Sequence, residues 1–205
     1  MTAMSTLIGI VACGGKSTRM GQDKSLLRYH TLPQCYHVFQ MLDKYCASTF
    51  LSCNKEQKSS LDPSYPVIVD KGDVSGAGPL TALLSAMKDC PGKHILFIGC
   101  DYPYLREEDI RDFIICVSNA MEKPAAFYNS EAQIYIPVLG YYPANSEKPL
   151  RAGITDAQFS LQRFLMAQNA TQFMPMNPEA IISVDNPEMM NQVKKQLEKM
   201  DRQLP

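Results

Sequence analysis

No two of the seven cysteines form a Cys-x-x-Cys pair, and only three histidines, His30, His37 and His94, accompany them. That scarcity argues against zinc. The scattered, odd-numbered set (Cys13, Cys35, Cys46, Cys53, Cys90, Cys100 and Cys116) reads as reduced thiols in a cytoplasm rather than as a disulfide framework. An excess of charge is also lacking: 20 Lys and Arg against 21 Asp and Glu leave a formal net charge of -1. No global field therefore draws nucleic acid or an anionic membrane, and any anion must be held locally. The apolar run from Leu7 to Cys13 has no basic leader and is far too short to span a membrane, so it reads as a buried strand. The loop after it, GGKST, lacks the register of a P-loop, because Gly15 intervenes between Gly14 and Lys16. A Gly-x-Gly-x-x-Gly fingerprint, a Ser-His-Asp elbow, internal repeats and low-complexity tracts are likewise missing.

What is present is a chain of 205 residues, 45% hydrophobic, enough for one sizeable core. Short apolar runs alternate with helical patterns. Strands are expected at Leu7 to Cys13, over STFLSCN, over PVIVD and from Ile95 to Cys100. Helices are expected from Pro33 to Tyr45, from Pro79, and from Glu107 to Val117. Nearly continuous apolar strands of this kind predict an α/β fold with a mostly parallel sheet covered on both faces. The second half is less regular: AAFYN and YIPVLGYY read as a hairpin around Ser130-Glu131, SLQRFLMAQ as a helix capped by Ser160, and NPEMMNQVKKQLEKM as a final helix from Pro187.

In open α/β sheets ligands bind beyond the carboxyl ends of the strands, and the chemically informative residues fall there. Gly14 and Gly15 have no side chain to obstruct a phosphate or a base, and their amides can donate hydrogen bonds. Arg19 offers a planar fork to phosphate oxygens and Lys24 a compact charge. Asp70 and Asp101 each follow an apolar run. Either alone would read as a turn residue, but two at one sheet edge facing a basic glycine loop suit a divalent cation and a polyphosphate. Asp101 is the stronger metal candidate. Gly76 to Leu80, GAGPL, leads into a helix amino terminus that favours an anion or a base edge. Cys13 and Cys100 sit in strands as small apolar residues, without the basic neighbour of a reactive thiol.

With these residues in place, the sequence resembles the molybdenum cofactor guanylyltransferases, within the nucleotidyltransferases of three-layer, Rossmann-like fold. The family opening, Leu-Ala-Gly-Gly, then Arg-Met-Gly, then Asp-Lys and two apolar residues, is matched by Ala12-Cys13-Gly14-Gly15, Arg19-Met20-Gly21, Asp23-Lys24 and Leu26-Leu27. Further matches are Asp70, Gly78-Pro79-Leu80, Cys100-Asp101-Tyr102-Pro103, the SLQRFL helix, and Asp185-Asn186-Pro187-Glu188 at the position of the family's Asn-Thr-Pro-Glu. The resemblance implies one domain over 1–205, with a nucleotide-binding half (1–118) and an acceptor-binding half (119–205). It implies that Ala12, Cys13, Gly14 and Gly15 contact a guanine nucleotide through backbone, that Lys24 holds its phosphates, and that Asp70 binds the nucleotide. Asp101 would bind nucleotide and Mg2+. The family's nucleotide-binding Asn at the second strand end aligns with Ser52, with Asn54 two residues later, and Gly78 belongs to the second loop.

The reaction implied is transfer of GMP from GTP to molybdopterin with release of pyrophosphate, in the cytoplasm, with transient contact to other cofactor-biosynthesis proteins and with neither nucleic acid nor membrane as partner. Because the nucleophile is already an anionic phosphate, no strong general base is required; alignment by Arg19, Lys24 and Asp101 suffices. The acceptor is expected near Tyr141, Arg151 and Arg163. The alternatives are a cytidylyltransferase for the same pterin, a sugar-phosphate nucleotidyltransferase, a P-loop kinase disfavoured by register, and a nucleotide-binding regulatory protein that has lost catalysis.

Overall fold

The structure, a computed structural model, describes residues 6–14, 24–71, 78–154 and 159–201. Strand β1 (Leu7–Ala12) is buried along its whole length and pairs in parallel with β2 (Ser48–Cys53) on one side and β4 (His94–Gly99) on the other. Beyond β2 lies the short parallel strand β3 (Val67–Val69). On the other flank β6 (Ile134–Tyr142) runs antiparallel to β4, β5 (Ala125–Asn129) antiparallel to β6, and β7 (Thr171–Phe173) parallel to β5. The seven-stranded sheet therefore has the order β3-β2-β1-β4-β6-β5-β7, with β6 alone opposed to the rest.

Side chains alternate across each strand, and here both sets are apolar. Leu7, Val11 and Cys13 join Leu96, Ile98 and Cys100 under α1 (Gln34–Asp43) and α3 (Glu107–Ser118). Ile8, Ile10 and Ala12 join Ile95 and Phe97 under α2 (Pro79–Asp89), α4 (Glu147–Gly153) and α5 (Leu161–Ala167). The result is the three-layer α/β architecture expected from continuous apolar strands. Each fully buried Ile, Leu or Phe contributes about 1.5–3 kcal/mol to holding the layers together.

Local signals set the element ends. Pro79 occupies the first turn of α2, after Gly78 in the left-handed region at φ 53°. Ser160 caps α5, its Oγ accepting from the Arg163 amide at 3.2 Å, as expected. The β5–β6 hairpin also forms, but Pro137, Val138 and Leu139 bulge out between the partners of the consecutive residues Phe127 and Ala126. Proline cannot donate to a ladder, so the bulge falls where it stands. Helix α4 and strand β7 were not anticipated. Helix α6 (Pro187–Asp201) starts at Pro187, with Asn186 Oδ1 accepting from the Met189 amide at 2.9 Å. It packs Val193 and Leu197 on Tyr104 and Val184 in a small separate core, which brings the end of the chain to the loop after β4.

Candidate active site

Parallel pairing places Ala12 beside Ser52 and beside Gly99, so β1, β2 and β4 end side by side. The chain leaves β1 in one direction toward β2 and returns on its other side as β4, the crevice where open α/β sheets bind ligands. The ladder continues past the strands. The Cys13 amide donates to Ser52 O at 2.9 Å, the Asp70 amide to Cys53 O at 2.8 Å, and the Cys100 amide to Ala12 O at 3.3 Å. The loops that follow thus start from fixed points.

On the β2–β3 side the carboxylate of Asp70 accepts a hydrogen bond from Ser52 Oγ at 2.9 Å on Oδ1. Its other oxygen lies 3.3 Å from where a Cβ on Gly14 would stand. Glycine at 14 therefore lets the carboxylate lie against the backbone of the opening loop. Burial pushes the Asp70 carboxyl above its ordinary value, and the Ser52 hydroxyl partly offsets this by favouring the charged form. Ser52 is fully buried, so it stands behind Asp70 as its support.

Asn54 is committed locally. Its Oδ1 accepts from the Gln57 amide at 2.8 Å, and its own amide donates to Gln57 Oε1 at 3.2 Å. Gln57 Nε2 in turn donates to Cys13 O at 3.1 Å. This reciprocal cap pins the opening loop to the end of β2, and it was missed from sequence. The Asn-x-x-Gln spacing of a capping box was the available signal.

On the β4 side the carboxylate of Asp101 turns back over Gly99, where an added Cβ would lie 2.8 Å from Asp101 Oδ1. Burial raises the Asp101 carboxyl; the charge of Lys24 lowers it and that of Asp185 raises it. Lys24 opens a short 3-10 helix (Lys24–Leu26). Its Nζ donates to Asp185 Oδ1 at 2.9 Å and to Val184 O at 3.1 Å. The Val184 amide donates to Asp101 O at 2.9 Å, so Lys24, Asp101 and Asp185 form one charged group. Asp185 was singled out only as part of a resemblance, and its pairing with Lys24 was not foreseen.

Gly15 and Arg19 lie outside the described residues, as do the residues from 72 to 77 between Asp70 and Gly78. Tyr141 is not at this end. Because β6 runs antiparallel, Tyr141 pairs with Leu96 deep in β4 and is fully buried, its hydroxyl at 2.8 Å from His94 Nδ1 and donating to Met121 O at 2.7 Å. Arg151 pairs with Glu147 on α4 at 2.9 Å. It faces, with Ala144, Asn145 and Lys148, an open surface cavity of about 350 Å³ beside the chain that leaves the far end of β6. Arg163 is exposed on α5. The thiol of Cys13 hydrogen-bonds with Cys100 and Cys35, and these contacts with burial push it well up; such a thiol is not a nucleophile.

Among the described residues, no three His, Cys, Asp or Glu side chains converge as a metal centre. The carboxylates present, Asp101 with Asp185, are hard oxygen donors of the kind magnesium takes when phosphates and water supply its other ligands. The donor set fits.

The model of the MobA-like NTP transferase domain matches residues 9–172, from β1 through β7. The chain belongs to that family. A molybdenum cofactor biosynthesis bifunctional protein of Synechocystis is 34% identical over 113 residues, 55% of this chain and 32% of that longer protein. A molybdenum cofactor guanylyltransferase of Shewanella piezotolerans is 22% identical over 191 residues, 92% of each chain. In three dimensions, the crystal structure of molybdopterin-guanine dinucleotide biosynthesis protein A from Archaeoglobus fulgidus superposes with a TM-score of 0.73 at 14% identity, covering 94% of this chain and all of that one. At that identity the superposition speaks for the fold.

Proposed function

We propose that this enzyme transfers GMP from GTP to molybdopterin, giving the guanine dinucleotide form of the cofactor and pyrophosphate. The observation that carries the reading is the meeting of Gly14, Asp70, Lys24 and Asp101 at one sheet edge, the residues that the resemblance assigns to a guanine nucleotide. Backbone amides at Gly14 and Gly15 take the nucleotide at close range, with Ala12 and Cys13 forming the floor. Ser52 orients Asp70 toward the nucleotide, Asn54 holds the neighbouring turn through Gln57, and Gly78 begins the opposite wall. Lys24 and Arg19 neutralise the phosphates. Asp101 would hold Mg2+, which supplies charge neutralisation at the phosphates.

A terminal phosphate oxygen of molybdopterin attacks the α-phosphorus of GTP; the bond to the bridging oxygen breaks and pyrophosphate leaves with that electron pair. The attacking oxygen carries no proton that must be removed, so in-line placement and charge neutralisation lower the barrier. The acceptor's own contacts lie in the second half of the chain, where Arg163 on α5 is exposed. The reaction belongs to the cytoplasm, where the product passes to other cofactor enzymes by transient contact.

The test is pyrophosphate release with Mg2+, molybdopterin and either GTP or CTP. GTP should support turnover. Release with CTP alone would replace the guanylyl reading by a cytidylyl one. Asp101→Ala should abolish release while leaving the circular dichroism spectrum unchanged.

A further inference from the structure

Resting on that reading, we infer that Asp185 is a displaceable counter-ion for Lys24 that makes nucleotide binding depend on the divalent cation. Lys24 Nζ sits 2.9 Å from Asp185 Oδ1 and 3.1 Å from Val184 O, so the cation meant for the phosphates is engaged by the protein. The pair bridges the beginning of the site and a segment 161 residues later in the chain.

Two features make the pairing exchangeable rather than structural. First, the segment does not need the ion pair to stay in place. Val184 is 1% exposed in the small core under α6, and its amide is anchored on Asp101 O. Asn186 is tied to the first turn of α6. Asp185 therefore stays at the rim of the site if Lys24 departs. Second, the Asp185 side chain is 61% exposed while that of Lys24 is 24% exposed, so the carboxylate can be reached from solution while the lysine is mostly enclosed. With its carboxylate largely in solvent the pair is screened, and ligand binding can overcome it.

The electrostatic consequence follows from Asp101 standing in the same group. Without a cation, incoming phosphates meet, among the described residues, two carboxylates and one lysine that is already paired. When Asp185 and Asp101 turn to a divalent cation, Lys24 is released to the phosphates, and one repulsion and one competition are removed together.

The experiment compares binding of GTP, by calorimetry, to wild type and Asp185→Asn in EDTA and in Mn2+, with electron paramagnetic resonance counting bound Mn2+. Loss of the competing carboxylate should tighten GTP binding in EDTA by about fivefold, the equivalent of one exposed ion pair. Loss of a cation-directed oxygen should raise the Mn2+ concentration needed for half-maximal GTP binding by about tenfold. Unchanged or weaker binding in EDTA, or an unmoved Mn2+ requirement, would overturn the inference while leaving the guanylyl reading intact. Wild type that binds no GTP in either buffer would overturn both. A residue that merely holds the fold would weaken binding equally with and without the cation.

Discussion

At position 99, one methyl group would stand 2.8 Å from Asp101 Oδ1 and 3.2 Å from both the Tyr102 ring and Val138 Cγ2. The carboxylate is the softest of these neighbours, so Gly99→Ala should displace it and leave β4 paired. A displacement of about 1 Å in a catalytic group costs on the order of 100-fold in rate. The expected result is a loss of that size in kcat for pyrophosphate release with an unchanged far-ultraviolet spectrum; full activity would show that Asp101 does not act from this rotamer. The places of Asp70 and Asp101 just beyond β3 and β4 were legible because a carboxylate ending an apolar run is visible in one dimension. Gly99 was not, since its contribution is the space it leaves. Ser52 behind Asp70 and Gln57 under Cys13 are contacts between strand ends, and periodicity does not report them.

Among the elements, the stretch between Lys24 and α1 positions the lysine, and two histidines hold it. The rings of His30 and His37 stack at 4.0 Å, and His30 Nε2 lies 3.0 Å from Pro103 O, two residues after Asp101. Burial first, then the charges of His30 and Lys44, lower His37 from 6.5 to about 4. Between those pH values the unfolded chain takes a proton that the folded one refuses. The stability contributed by neutral His37 is therefore complete above about 6.5 and is lost progressively as pH falls toward 4. Urea midpoints should drop more steeply from pH 7 to pH 5 in wild type than in His37→Gln; parallel profiles would contradict this.

The same scale explains what the pattern of residues revealed. Helices α1, α2, α3, α5 and α6 carried caps or apolar periodicity. Helix α4 has Pro149 in its first turn and only Leu150 fully buried, so little periodicity marks it. Strand β7 is three residues, TQF, with no fully buried residue. It forms because Phe173 packs on Phe113 and Phe127 at 5.2 and 4.8 Å, a tertiary cause that local propensity does not contain.

For the molecule as a whole, alternation along β1 and β4 builds one core above the sheet and one below, and the crevice proposed for the nucleotide lies where the strands between them end. The small core under α6 returns the end of the chain to that crevice through Val184. The direction of β6 takes Tyr141 to the opposite end and leaves the bulge at Pro137 near Gly99. The central claim concerns the phosphorus attacked, and isotopic label reads it directly. With GTP labelled at the α-phosphate, molybdopterin and Mg2+, the account predicts label in a pterin dinucleotide, whereas label at the γ-phosphate leaves in pyrophosphate. Transfer of the γ label to the pterin, or α label retained in GMP or GDP with no pterin product, would contradict it.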